Sequence, residues 1–246
     1  MIVICGGMIK SGSAWYVEMA NRLLVAAGYA DARQIRERFS LGEIMVGNEC
    51  YVRKLSPGSI LRLYRVRQAG HTFAVKTHAP LPLYLAPLLW LNTIKATYIF
   101  RDPRDVVVSA LDHGRKLRAQ GITTNFGAYS TCADLLPLID NYQRVWSEWD
   151  RIGGVLRVRY EDLLADTPGE LRRLARHLRL TLAERIIEQI VDRYRPEKLS
   201  DEKKDDLHFN RGVIGRYKQA LTAGQIAMLN ERYAGWLRKM GYTLDA

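Results

Sequence analysis

Two lysines, one histidine and one arginine stand where short apolar runs give way to polar residues. Lys10-Ser11-Gly12-Ser13 follows the run Ile2 to Cys5. Lys76-Thr77-His78 follows Thr72 to Val75. Arg101 follows Thr97 to Phe100, and Ser109 comes eight residues later. A lysine in a loop of small residues suits an anion, because the backbone can approach a ligand closely there. A helix that opens after such a loop adds backbone N–H groups and the positive end of its dipole. Arginine suits phosphate, since the guanidinium is always charged and donates paired hydrogen bonds. Histidine can take a proton near neutral pH. Read by residue type alone, the Lys10 loop is a ready anion site.

The elements that must position these groups follow from patterning. Ile2 to Cys5 is apolar and rich in β-branched residues, as in a strand covered on both faces. Trp15, Met19 and Leu23 recur at helical spacing over Ala14 to Ala27, and Gly28 ends that helix. Asp102 suits an N-cap, Pro103 the first helical position, and Asp105 the positive end of the dipole. Strands followed by helices predict an α/β fold, in which ligand groups gather at the carboxyl ends of the strands. A further helix is expected within Asp31 to Phe39. Irregular structure is expected after it, around the turn signal Ser56-Pro57-Gly58-Ser59. Residues 114–130 read as a polar segment with a mobile loop.

An amphipathic helix is expected over Ala133 to Asp150, with Leu135, Ile139, Tyr142, Val145, Trp146 and Trp149 turned to the core. A strand from Val155 leads into Tyr160-Glu161-Asp162-Leu163. Helices are expected over Thr167 to Leu178, with a capping box at Thr167 and Glu170, over Leu182 to Tyr194, and over Ala223 to Met240. Residues 195–211 read as a solvated charged loop. His71, His113 and His177 stand in no motif and read as ordinary packing or surface residues.

Composition sets the bounds. The chain has 246 residues, 48% of them hydrophobic and 26% charged, which suits one α/β domain over 1–246. Its formal net charge is +11, which favours polyanionic ligands. The basic residues are spread without a tail or long run, which argues against nucleic acid. The three cysteines, Cys5, Cys50 and Cys132, are odd in number and far apart, as expected in a reducing cytoplasm. No metal-ligand cluster stands out. A strand starting at residue 2 leaves no room for a signal peptide, and Leu81 to Leu91 is too short to span a bilayer. Lys10-Ser11 could close a Walker pattern, but Ile4 and Ile9 replace both of its glycines.

Taken in order, these strings resemble the sulfotransferases that use 3′-phosphoadenosine 5′-phosphosulfate (PAPS). Lys10-Ser11-Gly12-Ser13-Ala14-Trp15 resembles their 5′-phosphosulfate loop, usually Lys-Ser-Gly-Thr-Thr-Trp. Lys76-Thr77-His78-Ala79-Pro80 resembles their Lys-Thr-His-x-Pro motif. Arg101 and Ser109 resemble the pair that holds the nucleotide 3′-phosphate. Tyr160 resembles a tyrosine on the adenine side. Asn210-Arg211-Gly212 resembles the start of the C-terminal Arg-Lys-Gly motif. The resemblance implies a P-loop-like, three-layer α/β/α fold with a mostly parallel central sheet.

It also implies transfer of a sulfuryl group to an acceptor hydroxyl or amine, with 3′-phosphoadenosine 5′-phosphate (PAP) as product and no metal required. His78 would be the general base, Lys10 would stabilise the leaving oxygen, and Lys76 would face the sulfuryl oxygens. Arg211 and Gly212 would close over the 3′-phosphate. The implied acceptor is a small molecule, lipid, glycoside or peptide natural product. Ser13-Ala14 in place of Thr-Thr removes one hydroxyl contact. Asn210 replaces an arginine, and Arg216-Tyr217 replaces Asp-Trp. The family's dimer string meets Lys218 and Thr222 but lacks its Val and Glu, so the oligomeric state stays open. The alternatives are a kinase on the same fold, against which the broken Walker pattern argues, and a basic nucleic-acid-binding protein.

Overall fold

A computed structural model describes residues 1–207 and 212–244. The chain opens with β1 (Ile2–Gly7), α1 (Ser13–Ala26), α2 (Ala32–Arg38) and α3 (Pro57–Gln68). There follow β2 (Phe73–Thr77), α4 (Ala86–Trp90), β3 (Ile94–Phe100), α5 (Pro103–Ala119) and α6 (Asn125–Ala128). Then come α7 (Leu136–Asp150), β4 (Val155–Arg159), α8 (Tyr160–Ala165), α9 (Thr167–Leu178) and α10 (Glu184–Arg193). The last helices are α11 (Asp201–Asp206), α12 (Tyr217–Ala220) and α13 (Ala223–Lys239). The chain divides into two compact units, one of residues 1–100 and 145–210, the other of residues 101–144 and 211–246.

The first unit is built on the sheet. Among the described residues four strands pair in the order β2-β1-β3-β4, all parallel. Every residue of β1 is buried, as a central parallel strand with helices on both faces requires. Val3, Cys5, Ala74, Ile99 and Val158 face a cluster with Trp15, Met19 and Leu23 of α1 and the apolar stripes of α9 and α10. On the opposite face, Tyr98 lies 5.0 Å from the Trp149 ring and Phe100 lies 6.5 Å from Trp146. The mostly parallel, helix-flanked sheet matches the expected fold class.

In the second unit Asp102 caps α5 by accepting from the Arg104 N–H, with Pro103 at its start, as expected. Arg104 is buried and donates to Asp102, to Asn230 Oδ1 at 2.8 Å and to the Thr243 carbonyl at 2.9 Å. Its guanidinium also stacks on Tyr217 at 4.2 Å. Asp140 of α7 holds Tyr233 and Arg232 of α13.

Some elements differ from expectation. Ser56-Pro57 opens α3 and does not close a turn: Ser56 accepts from the Ser59 N–H and Pro57 takes the first position. Residues 114–130 are largely helical, since α5 continues to Ala119 and α6 follows. Gly114 lies inside α5 because a Cβ there would sit 2.5 Å from the Phe126 carbonyl oxygen. The cap of α9 is Asp166, accepting from the Gly169 N–H; Thr167 donates to Leu163 instead. Part of the charged segment 195–211 forms α11.

A buried ionic cluster joins α1 to α2 and to the end of α10. Glu18 accepts from Arg22, from Arg33 at 3.0 Å and from the Tyr194 hydroxyl at 2.7 Å. Burial alone would raise the Glu18 pKa, but the bonds from Tyr194, Arg33 and Arg22 hold it below the usual value. A depressed carboxylate stabilises the fold above its unfolded pKa, about 4.3, and that contribution is lost as pH falls through the folded value. Glu18→Gln is therefore expected to cost about 1–3 kcal/mol at pH 7 and to flatten the fall in melting temperature between pH 5 and pH 3. Thermal melts of both proteins across that range check this.

Candidate active site

The first group of site residues forms where β1 runs into α1. The loop between them turns through two left-handed residues, Lys10 at φ 59° and Gly12 at φ 76°. Met8 N–H donates to the Ile99 carbonyl at 3.0 Å, and the Ser11 hydroxyl turns inward to the Met8 carbonyl. The loop is thus tied to the end of β3 beside it. Ser11, Ser13, Ala14 and Trp15 are buried. Trp15 Nε1 donates to the Tyr194 carbonyl at 2.9 Å, which anchors the first turn of α1.

That first turn carries no side-chain cap and no acidic residue. Its N–H groups, with the positive helix end behind them, form the kind of cradle an anionic oxygen fills. Tyr160 closes one side of this cradle. A Cβ on Gly12 would lie 2.8 Å from its ring, so the loop and the tyrosine meet as closely as backbone permits. The residues present therefore fit a phosphate-bearing ligand at the head of α1.

The second group sits at the end of β2. Residues 50–52 bridge onto this strand: Lys76 N–H donates to the Cys50 carbonyl, and Val52 N–H to the Lys76 carbonyl. The Thr77 hydroxyl donates to the Val52 carbonyl at 2.8 Å. Lys76 is only 4% exposed, and its ammonium meets Glu49 Oε2 at 2.9 Å. Burial draws its pKa below the ordinary lysine value, against the raising effect of Glu49. Glu49 was not among the residues the sequence singled out. No pattern marks it, because its partner lies 27 positions away in a segment expected to be irregular.

His78 comes just after the strand. Its Nδ1 lies 2.6 Å from the Gly7 carbonyl oxygen. A carbonyl oxygen only accepts, so Nδ1 carries a proton, and in the neutral ring Nε2 then keeps its lone pair. The ring lies 5.4 Å from that of Tyr51, and Trp149 Nε1 donates to the carbonyl of the next residue, Ala79, at 2.9 Å. The first unit thus brings Gly7 and His78 together, with Lys76 two residues before His78. The other described histidines do different work: His177 faces the Ala96 carbonyl, and His71 and His113 pack on phenylalanines.

The second unit holds the remaining candidates. Arg101 donates to Asp105 Oδ2 at 3.2 Å and to the Val213 carbonyl at 2.9 Å. The same carboxylate accepts from the Gly215 N–H at 2.8 Å and the Tyr217 N–H at 3.0 Å. Asp105, placed by the sequence at the positive end of the helix dipole and within reach of Arg101, also fixes the segment after Gly212, which itself turns at φ 62°. Ser109 is buried two turns into α5. Asn210 and Arg211 lie outside the described residues. Among the described residues, no group of three His, Cys, Asp or Glu is placed to hold a metal ion.

The family model of the sulfotransferase domain matches residues 2–241. Sulfotransferase 1C2 of Oryctolagus cuniculus is 24% identical over 183 residues, which is 65% of this chain and 60% of that protein. Its counterpart from Rattus norvegicus is 23% identical over 193 residues, covering 69% and 62%. The chain thus spans about 60% of the length of these curated relatives. The mouse sulfotransferase SULT7A1, complexed with PAP, superposes with a TM-score of 0.64 at 18% identity, covering 96% of this chain and 84% of its own. Retinol dehydratase, in complex with androsterone and the inactive cofactor PAP, gives 0.61 at 20% identity, covering 100% and 82%.

The tight approach at Gly12 yields a prediction. Gly12→Ala adds a Cβ both at positive φ and against Tyr160. It is expected to cost about 1–3 kcal/mol, seen as a drop of several degrees in melting temperature. Gly28→Ala also falls at positive φ, 90°, but in open space, and should cost less. Parallel melts of the two variants check the order.

Proposed function

This chain belongs to the sulfotransferase family, and we propose that it moves a sulfuryl group from PAPS to an acceptor hydroxyl or amine. The observation that carries this reading is the state of His78. Its Nδ1–H is spent on Gly7, so Nε2 is the nitrogen that can act as base. The uncapped head of α1 supports the choice of donor, as do the PAP complexes of the structural neighbours.

When bound, PAPS supplies the sulfuryl group and an adenosine bisphosphate leaving group. His78 Nε2 takes the proton of the acceptor nucleophile, and the Gly7 carbonyl stabilises the resulting imidazolium through its bond to Nδ1–H. The N–H groups of α1, with Ser13 and Ala14, hold the 5′-phosphate. Lys10 opposes the negative charge that builds on the departing oxygen. Lys76, steadied by Glu49, faces the sulfuryl oxygens. By the family resemblance, Arg101, Ser109, Asn210, Arg211 and Gly212 would take the 3′-phosphate and Tyr160 the adenine side. Androsterone and retinol in complexes of retinol dehydratase make small apolar alcohols the first acceptors to try.

His78→Ala is expected to slow transfer by about 10²–10⁴-fold while keeping its thermal stabilisation by PAP. At 100 times its Kd a ligand adds about 2.7 kcal/mol, or roughly 5–10 °C for a chain of this size. Wild-type turnover in His78→Ala contradicts the base assignment. Arg101→Ala is expected to lose most of the PAP shift and little of any shift with AMP, which lacks the 3′-phosphate. Equal losses with both nucleotides contradict that role.

A further inference from the structure

We propose that residues 83–91 form a docking face for an anionic lipid bilayer. This goes beyond sulfuryl transfer and does not rest on it. A 3₁₀ turn over Leu83–Leu85 runs directly into α4. Leu85 and Leu89 point inward and are buried. The opposite side presents Leu83, Tyr84, Trp90 and Leu91, with Trp90 77% and Leu91 71% exposed. A surface helix ordinarily turns charged residues outward. Residues 83–91 contain none. Single exposed apolar residues need no explanation, but a strip of them marks an interaction surface.

The exposed cations near the strip lie just before the start of α3 and on its outer side. Between Glu49 and Asp102 the sequence has no acidic residue, although Lys76 is buried against Glu49 and Arg62 pairs with Glu43. Two bonds lay α3 alongside the strip. The Tyr84 hydroxyl donates to the Leu55 carbonyl just before α3, which sets one end of the strip near Lys54. Arg67, near the end of α3, donates to the Thr93 carbonyl at 3.1 Å, two residues beyond Leu91. The outer side of α3 continues the pattern, with Leu61 and Arg65 both exposed one turn apart. Arg53 and Lys54 are exposed as well.

Apolar side chains with a cationic border match the boundary of an anionic membrane. Leucine and tryptophan enter the edge of the acyl region, and the indole N–H suits the headgroup level. Lysine and arginine meet lipid phosphates and carboxylates. A protein partner would need hydrogen-bonding groups to match its own. The Tyr84 hydroxyl is already spent inside the unit. A second copy of this chain would bring an equally basic border against the first.

The test is co-sedimentation of the full chain with vesicles of phosphatidylcholine alone and with about one fifth phosphatidylserine. Binding is expected to the mixed vesicles, weak binding to the neutral ones, and release at high salt. The double substitution Trp90→Ser with Leu91→Ser is expected to weaken binding at least about tenfold. Arg65→Gln is expected to weaken it a few-fold. These positions are exposed, so melting temperatures should stay at the parent value, and that control separates lost docking from lost fold. No binding to the mixed vesicles at millimolar lipid overturns the proposal. So does binding that both variants leave unchanged. A dimer that forms without lipid and disappears in the double variant, with no vesicle binding by the parent, overturns it in favour of self-association.

Discussion

The carbonyl oxygen of Gly7 fixes the working end of the sheet. It is the last residue of the central strand, and it accepts the Nδ1 proton of His78. Two glycines make that approach possible for reasons of space. A Cβ on Gly6 would lie 2.4 Å from the Trp149 ring, and one on Gly7 would lie 2.7 Å from Ile99 Cγ2. Trp149 then acts twice. Its ring fills the space over Gly6, and its Nε1 holds the carbonyl of Ala79. The residues on both sides of His78 are thus pinned, Thr77 through Val52 and Ala79 through Trp149. Little freedom is left for the imidazole, and the nitrogen that carries its proton is set by backbone geometry.

Within each unit charge is arranged in complementary fashion. The head of α1 has neither a capping side chain nor a nearby acid in its first turn, so its dipole is not offset locally. Lys76 is a buried cation that stays paired through Glu49. An unpaired ammonium at that depth would tend to neutralise. In the other unit Asp105 does the corresponding work. It holds Arg101 and two backbone N–H groups of the 212–217 segment at once. A phosphate that binds Arg101 competes with this carboxylate for the guanidinium.

Much of this was legible in the sequence, and the gaps have physical causes. Strand–loop–helix junctions are local, so the Lys10 loop, the Lys76-Thr77-His78 corner and the Asp102 cap could be read from neighbouring residues. Buried helices announce themselves by period, as α7 did with Ile139, Tyr142, Val145, Trp146 and Trp149, all of them buried. Ser56-Pro57 misled because the same pair suits a turn and a helix start. Only the later spacing of Ile60, Leu63 and Val66, all buried, decides between them. Glu49 and the second role of Asp105 were out of reach. Each depends on a partner that the fold brings in from far along the chain, 27 positions for Lys76 and 110 for Gly215.

The most direct test of the catalytic account is the tautomer of His78. Long-range proton–nitrogen correlation spectra of the labelled protein, recorded above the imidazole pKa and assigned with a His78→Gln variant, report which ring nitrogen carries the proton. The account predicts a protonated Nδ1 and a bare Nε2. A protonated Nε2 contradicts it, because the only nitrogen left to accept a proton would then be the one held against the Gly7 carbonyl.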